Sequence, residues 1–139
     1  MPKPFRTTRF VEFSDTDMAG IVHFSTFFRY MEAAEHELLR RLGFSVYSRV
    51  NGSVISFPRV AASCEFLAPI RCEDEVAINV AVRRVGNKSI TYGFTFSLKD
   101  EEVARGEMTS VCCRVDPGEA PESIPIPADL GDKLRALAE

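Results

Sequence analysis

The first regularity along the chain is an apolar stripe at steps of three and four. From Phe24 onward, Phe27, Met31, Ala34, Leu38 and Leu42 recur at helical spacing, and Phe28, Ala33 and Leu39 widen the stripe. The pattern predicts one long, deeply packed helix. Ser25 or Thr26 can cap its start, and Gly43 suits the position just past its end. Arg40 and Arg41 fall in the last turn, where the helix dipole favours cations.

Elsewhere the period is two. Residues 4–14 read as a strand with Phe5, Val11 and Phe13 on one face. Residues 44–53 read as a looser connection with Asn51-Gly52 as a turn. Val54 to Leu67 reads as one extended segment, which should bulge or lie on an edge at Pro58. Val76, Ile78, Val80 and Val82 alternate with smaller or polar neighbours, and Gly86-Asn87 is a plausible hairpin turn. Ile90, Tyr92, Phe94, Phe96 and Leu98 give the cleanest alternation, and Val103 to Val115 closes the meander. Residues 117–127 hold four prolines and read as an extended tail, and Ala128 to Glu139 as a short helix with Leu130, Leu134 and Leu137 on one side. One buried helix with long antiparallel strands is an α+β arrangement, here in a single domain spanning residues 1–139. Pro58 and Gly93 are candidates for bends in the sheet.

Composition narrows the function. The net charge is −3 and the 17 basic residues are scattered, so no nucleic-acid surface is expected. No apolar run is long enough to span a membrane, and no signal peptide opens the chain. Cys64, Cys72, Cys112 and Cys113 make no CxxC pair, and only two histidines are present, so a zinc site is not expected. Reduced thiols in a cytoplasmic protein fit better than a disulfide framework.

The candidate chemistry lies between the first strand and the helix. Ser14-Asp15-Thr16-Asp17 is a polar turn followed by Ala19-Gly20. It sets a carboxylate just upstream of a helix N-terminus with free backbone N–H groups. A base or nucleophile beside an oxyanion site is what acyl transfer needs. Asp and Ser before a helix also serve as ordinary turn formers, and Asp15 reads as one, holding the turn through nearby N–H groups. A calcium loop opening at Asp15 would need Glu at its twelfth position, where Thr26 stands. No Gly-x-Ser-x-Gly elbow is present.

The stretch DTDMAGIVHFSTFFRYMEAAEHELLRRLG resembles the signature of the hot-dog-fold acyl-CoA thioesterases of the 4-hydroxybenzoyl-CoA thioesterase type. Asp15, Asp17, Gly20, Ile21 and Val22 match its Asp-x-Asp-x-x-Gly-Val/Ile-Val turn. From Phe5 to Val115 the remainder agrees in strand order and length. The resemblance implies an antiparallel sheet wrapped around one long central helix, and hydrolysis of an acyl-CoA thioester without metal or cofactor. It implies that Asp17 attacks the thioester or activates a water, and that the Phe24 backbone N–H polarises the carbonyl oxygen. Gly20 would allow close backbone approach or a positive φ. His23 would pack or touch substrate. Lys88 and Ser89 would approach the CoA phosphates, with Arg59 also available to the nucleotide. Glu35, on the helix, is a reserve catalytic carboxylate. The implied assembly is a homodimer or homotetramer with its site between subunits. Phe27, Phe28, Phe44, Tyr47 and Phe57 are candidates for an acyl pocket. Two other readings stay open. One is a 3-hydroxyacyl-thioester dehydratase on the same fold, although the chain has no Asn-Pro-x-His segment. The other is a non-catalytic acyl-CoA-binding module, although the added DNA-binding segment usual in such modules is not seen.

Overall fold

In the computed structural model, which describes residues 4–138, two antiparallel sheets share one chain. In chain order the elements are β1 (Phe5–Phe10), α1 (Phe24–Arg41), β2 (Ser48–Val50), β3 (Ser53–Ser56), β4 (Arg59–Phe66), β5 (Glu75–Val85), β6 (Ser89–Leu98), β7 (Glu101–Val111), β8 (Cys113–Val115), β9 (Glu122–Ser123) and α2 (Ala128–Leu137). The large sheet runs β1-β5-β6-β7-β4, and the small one runs β2-β3-β8-β9.

The two periods meet in one core. Val76, Ile78, Val80 and Val82 of β5 and Ile90, Tyr92, Phe94 and Phe96 of β6 are buried, and so are Phe27, Met31, Ala34 and Leu38 of α1. Burying each large apolar side chain stabilises by roughly 1.5–3 kcal/mol. A glycine lets the helix settle on the sheet. A Cβ at Gly106 of β7 would lie 2.4 Å from Met31 Cε.

Several boundaries differ from the sequence pattern. β1 stops at Phe10, and Val11 is fully buried, bonded through its amide to Asp74 O at 2.8 Å. Glu12 then caps a 3-10 turn over Phe13–Asp15, and Phe13 is 84% exposed rather than sharing a face with Val11. The run from Val54 to Leu67 is two strands in different sheets, parted at Phe57-Pro58. The expected irregularity at Pro58 appears as a register shift between Arg59 and Ala61, and β4 forms an edge of the large sheet. Residues 44–53 contain a strand, β2, which pairs with β3 across the Asn51-Gly52 turn. Two further register shifts fall on β5, between Val82 and Arg84, and where β6 pairs β7, between Phe96 and Ser97; neither is at Gly93 itself. Gly93 instead leaves room for Arg83, whose Nε lies 2.2 Å from where a Cβ would sit.

β7 and β8 are one run that changes sheets at Cys112. The proline-rich tail returns along it, with Ile124 N bonded to Cys112 O at 2.9 Å and Ile126 N to Asn87 O at 2.9 Å. α2 then buries Leu130 and Leu134, and Lys133 Nζ donates to Leu42 O at 2.8 Å, just past the end of α1. Among the described residues no helix is long and apolar enough to cross a membrane.

Candidate functional site

The turn before α1 is a tight loop. Thr16 and Val22 form an antiparallel bridge, Asp17 N donates to Ile21 O at 2.9 Å, and Gly20 N donates to Asp17 O at 2.9 Å. Gly20 has φ +80°, and nothing lies within 4 Å of the place a Cβ would take. Backbone conformation, not crowding, therefore calls for glycine there. Asp17 Oδ1 accepts from Ala19 N at 2.8 Å, while among the described residues nothing donates to Oδ2. One carboxylate oxygen is fixed by the turn and the other is available.

Asp15 ties this loop to the helix, as its turn-forming chemistry predicts. Its Oδ2 accepts from Glu12 N at 3.0 Å and from Tyr30 OH at 2.7 Å. Its carbonyl accepts from His23 N at 2.9 Å and from Thr26 Oγ1 at 3.1 Å. Tyr30 is only 2% exposed. Burial, and then the bond to Asp15, push its pKa up, so the phenol stays protonated and remains the donor. Sequence reasoning missed Tyr30. The available signal was a tyrosine on the buried stripe, whose hydroxyl needs a partner.

The helix cap also differs from expectation. The N-cap is His23, not Ser25 or Thr26. His23 Nδ1 accepts from Ser25 N at 3.2 Å and lies 2.8 Å from Ser25 Oγ, and the ring rests 4.7 Å from that of Phe24. Thr26 N bonds to His23 O at 2.9 Å. Among the described residues no group accepts from the Phe24 amide. It is an orphan donor at the positive end of the helix dipole.

Asp17 and Phe24 line one cavity of about 500 Å³ together with Ile21, Phe27, Phe66 and Leu67. Phe27 meets Phe66 edge-on at 5.0 Å. Of the five aromatics expected around an acyl group, only Phe27 lines this cavity. Phe44 lies under Lys133 Nζ at 5.5 Å, and Tyr47 faces a separate groove with Arg49 and Val115.

The remaining candidates fall elsewhere. Glu35, 1% exposed, is ion-paired with Arg59, which also donates to Phe57 O at 2.6 Å and lies 3.7 Å from Glu32. Burial lifts the Glu35 carboxyl to about 7 against the opposing charge of Arg59. Burial likewise holds the neighbouring His36 below its usual value. Lys88 is exposed and Ser89 half-buried at the start of β6. Lys88 O accepts from Cys112 N at 2.7 Å, which fastens this hairpin to the β7–β8 crossover. Ser89 pairs with Val111, and Arg59 pairs with Ser110, so Lys88 lies toward the Arg59 end of the large sheet. The cavity lies at the opposite, Phe66 end.

A carboxylate with a free oxygen, an unpartnered helix-start amide and an apolar cavity make a site suited to acyl transfer. The comparisons agree. Residues 11–134 match the family described as the Thioesterase-like superfamily. A protein of Aquifex aeolicus (strain VF5) is 30% identical over 132 residues, which cover 95% of this chain and 98% of its own. A 1,4-dihydroxy-2-naphthoyl-CoA hydrolase of Thermosynechococcus vestitus is 26% identical over 140 residues, covering 99% of this chain and 94% of its own. The solved structure of a gentisyl-coenzyme A thioesterase is 30% identical and superposes with a TM-score of 0.81, over 91% of this chain and 98% of its own. The chain belongs to the thioesterase-like superfamily, and its fold is the hot-dog fold.

Proposed function

We propose that the protein, an acyl-CoA thioesterase, uses Asp17 and the Phe24 amide as its hydrolytic pair. The observation that carries this reading is that Asp17 and Phe24, a residue whose amide has no acceptor among the described residues, line the same apolar cavity. The thioester carbonyl oxygen accepts from the Phe24 N–H, where the helix dipole favours the growing negative charge. One such donor is typically worth ~10²–10³ in rate. Asp17 then acts in one of two ways. As a general base it takes a proton from a water that adds to the carbonyl carbon. As a nucleophile it forms the new C–O bond itself, giving an anhydride that water later opens. By either route the C–S bond breaks, CoA leaves as its thiolate, and the sulfur is then protonated. Gly20 shapes the turn that holds Asp17. His23, by capping α1, orients the first helical turn, and its ring packs beside Phe24.

Lys88 and Ser89 are the proposed grip on the CoA phosphates. Within one chain they and Asp17 lie toward opposite ends of β4, whose eight residues span roughly 25 Å. A second copy resolves this. β4 is an edge strand whose central residues, Val60 to Cys64, carry no charge, and Val60 is 62% exposed. Such an edge is a ready template for pairing. Antiparallel pairing of two β4 edges sets the Phe66 end of one chain beside the Arg59 end of the other. The homodimer so formed brings Lys88 of the partner subunit toward Asp17. Arg59 supports that end of the sheet through Glu35, and contact with the nucleotide is left to its remaining edge. Four free thiols and a CoA-linked substrate fit a cytoplasmic location.

The test is thiol release from a panel of acyl-CoAs by wild type, Asp17→Asn and Asp15→Asn. Asp17→Asn should lose at least ~10²-fold in kcat with folding kept, whereas Asp15→Asn should lose mainly stability. A near wild-type kcat for Asp17→Asn sinks the reading. Single turnover in ¹⁸O-water adds to this: label in the Asp17 carboxylate establishes the nucleophilic role, with water opening the anhydride at the aspartyl carbonyl, whereas the general-base route puts label only in the product acid.

A further inference from the structure

The end of the large sheet that holds Lys88 carries a second cation on a fixed arm. α2 is docked beside the β5–β6 turn. Ile126 N, just before the helix, donates to Asn87 O at 2.9 Å, and Ala138, just after it, pairs in parallel with Val82 of β5. Leu130 and Leu134 are buried beneath. From this helix Arg135 Nη2 donates to Gly86 O at 3.3 Å, two residues along the turn from Lys88. Gly131, one helical turn earlier, makes room for that side chain, since a Cβ there would lie 3.0 Å from Arg135 Nη1. A glycine inside a helix is otherwise unfavourable. The guanidinium is half exposed, and its acidic neighbour Asp132, at 3.7 Å, is itself 80% exposed. So solvated a pair leaves most of the positive charge available.

We infer that Arg135 binds the ribose 3′-phosphate of CoA, one step beyond the diphosphate held at Lys88. The inference rests on the reading of Lys88 as a phosphate grip. Both cations belong to one chain and meet at one turn, so their closeness is the same however a second copy sits. Across this end of the sheet the order is β4, β7, β6, β5 and then α2, with about 5 Å between strands. With the thioester beyond the β4 edge, the substrate crosses β7 to Lys88 on β6 and reaches Arg135 last. The 3′-phosphate likewise lies beyond the diphosphate, counted from the sulfur. A guanidinium offers a phosphate monoester two parallel N–H groups, whereas an ammonium such as that of Lys88 acts as a point charge.

The experiment measures kcat/KM for thiol release from three esters of one acyl group: CoA, dephospho-CoA, which lacks only the 3′-phosphate, and pantetheine, which ends before the diphosphate. Wild type should favour the CoA ester over the dephospho-CoA ester by roughly 10-fold, the size of one charge-assisted contact at a half-exposed site. The preference should shrink as salt rises. Arg135→Gln should remove it through KM, with kcat kept and the dephospho-CoA ester turned over as in wild type. Parity of the two nucleotide esters in wild type overturns the inference, and this outcome needs no variant to fold. An equal loss on all three esters in Arg135→Gln also overturns it, because the residue then only ties α2 to the turn, which unfolding curves would register. Lys88→Ala tells the two failures apart. A loss confined to its nucleotide esters, beside an Arg135→Gln with no selective loss, overturns the inference alone. An equal loss on all three esters in Lys88→Ala overturns the phosphate grip, and the inference with it.

Discussion

In the turn before α1, Asp17 has one carboxylate oxygen held by Ala19 and, among the described residues, no donor to the other, at the edge of an open apolar cavity. About three turns into the helix that follows, Glu35 is sealed against the sheet and ion-paired with Arg59. A displaced pKa is often the mark of a functional site. Here the carboxylate lifted to about 7 is Glu35, and desolvation is the leading cause. Its environment suits it to hold β4 against α1, whereas substrate can reach Asp17. On the proposed reading, accessibility and an unpartnered helix-start amide on the same cavity, not the size of a pKa shift, mark the carboxylate that does the chemistry. Glu35 as a reserve catalytic group would first have to release Arg59 and open the core.

Perturbing the Arg59 side of the contrast has the largest expected effect on stability. Arg59→Ala leaves Glu35 buried without its counter-charge. The cost should be about 3 kcal/mol, at the low end for a broken buried pair because Glu35 can take up a proton. Denaturant unfolding measures it, and kcat per folded molecule should change far less.

The pH dependence comes next. Glu35 rises from 4.5 to about 7 on folding, so between those values the folded state binds more protons than the unfolded one. Stability from this group is complete below about 4.5 and is lost as pH climbs through about 7. The slope can reach ~1.4 kcal/mol per pH unit in that window. Glu35→Gln should remove this slope from unfolding curves taken between pH 5 and 8. The groups facing it are Glu32, His36, Arg59 and Tyr92, so His36→Gln is the control for a slope of histidine origin.

The smallest effect belongs to the strut between the two regions. Tyr30→Phe removes the hydroxyl that holds Asp15 and leaves the ring in the core. Stability should fall by about 1 kcal/mol. If the strut positions Asp17, kcat should fall severalfold with KM nearly unchanged, because the cavity walls stay in place. A loss of stability with kcat intact would make Tyr30 a packing residue only.

The contrast was half legible in the sequence. Period-two alternation found β5 and β6, and the three-four stripe found α1, because both register directly which residues face a core. The turn at Asp17 and Gly20 showed through local chemistry. Nothing in a strand's own pattern says which sheet it joins, so the changes of sheet at Pro58 and Cys112 were hidden. The cap was ambiguous because His23, Ser25 and Thr26 can all accept a helix N–H, and only the fold decides which one turns inward. Contacts between distant residues were silent altogether: Tyr30 with Asp15, Arg59 with Glu35, and the wall of residues 66–70 facing Phe24. They depend on how β4 and the turn at Asp15 pack against α1, which no spacing encodes.

Thiol release by Asp17→Asn and Glu35→Gln, measured side by side on the best thioester at a temperature where both are folded, tests the division of labour along α1 most directly. Asp17→Asn should lose at least ~10²-fold in kcat while its unfolding curve stays close to wild type. Glu35→Gln should keep most of the wild-type kcat and show its change in the pH dependence of stability. A dead Glu35→Gln beside an active Asp17→Asn would move the chemistry to the middle of the helix and contradict the assignment of Asp17.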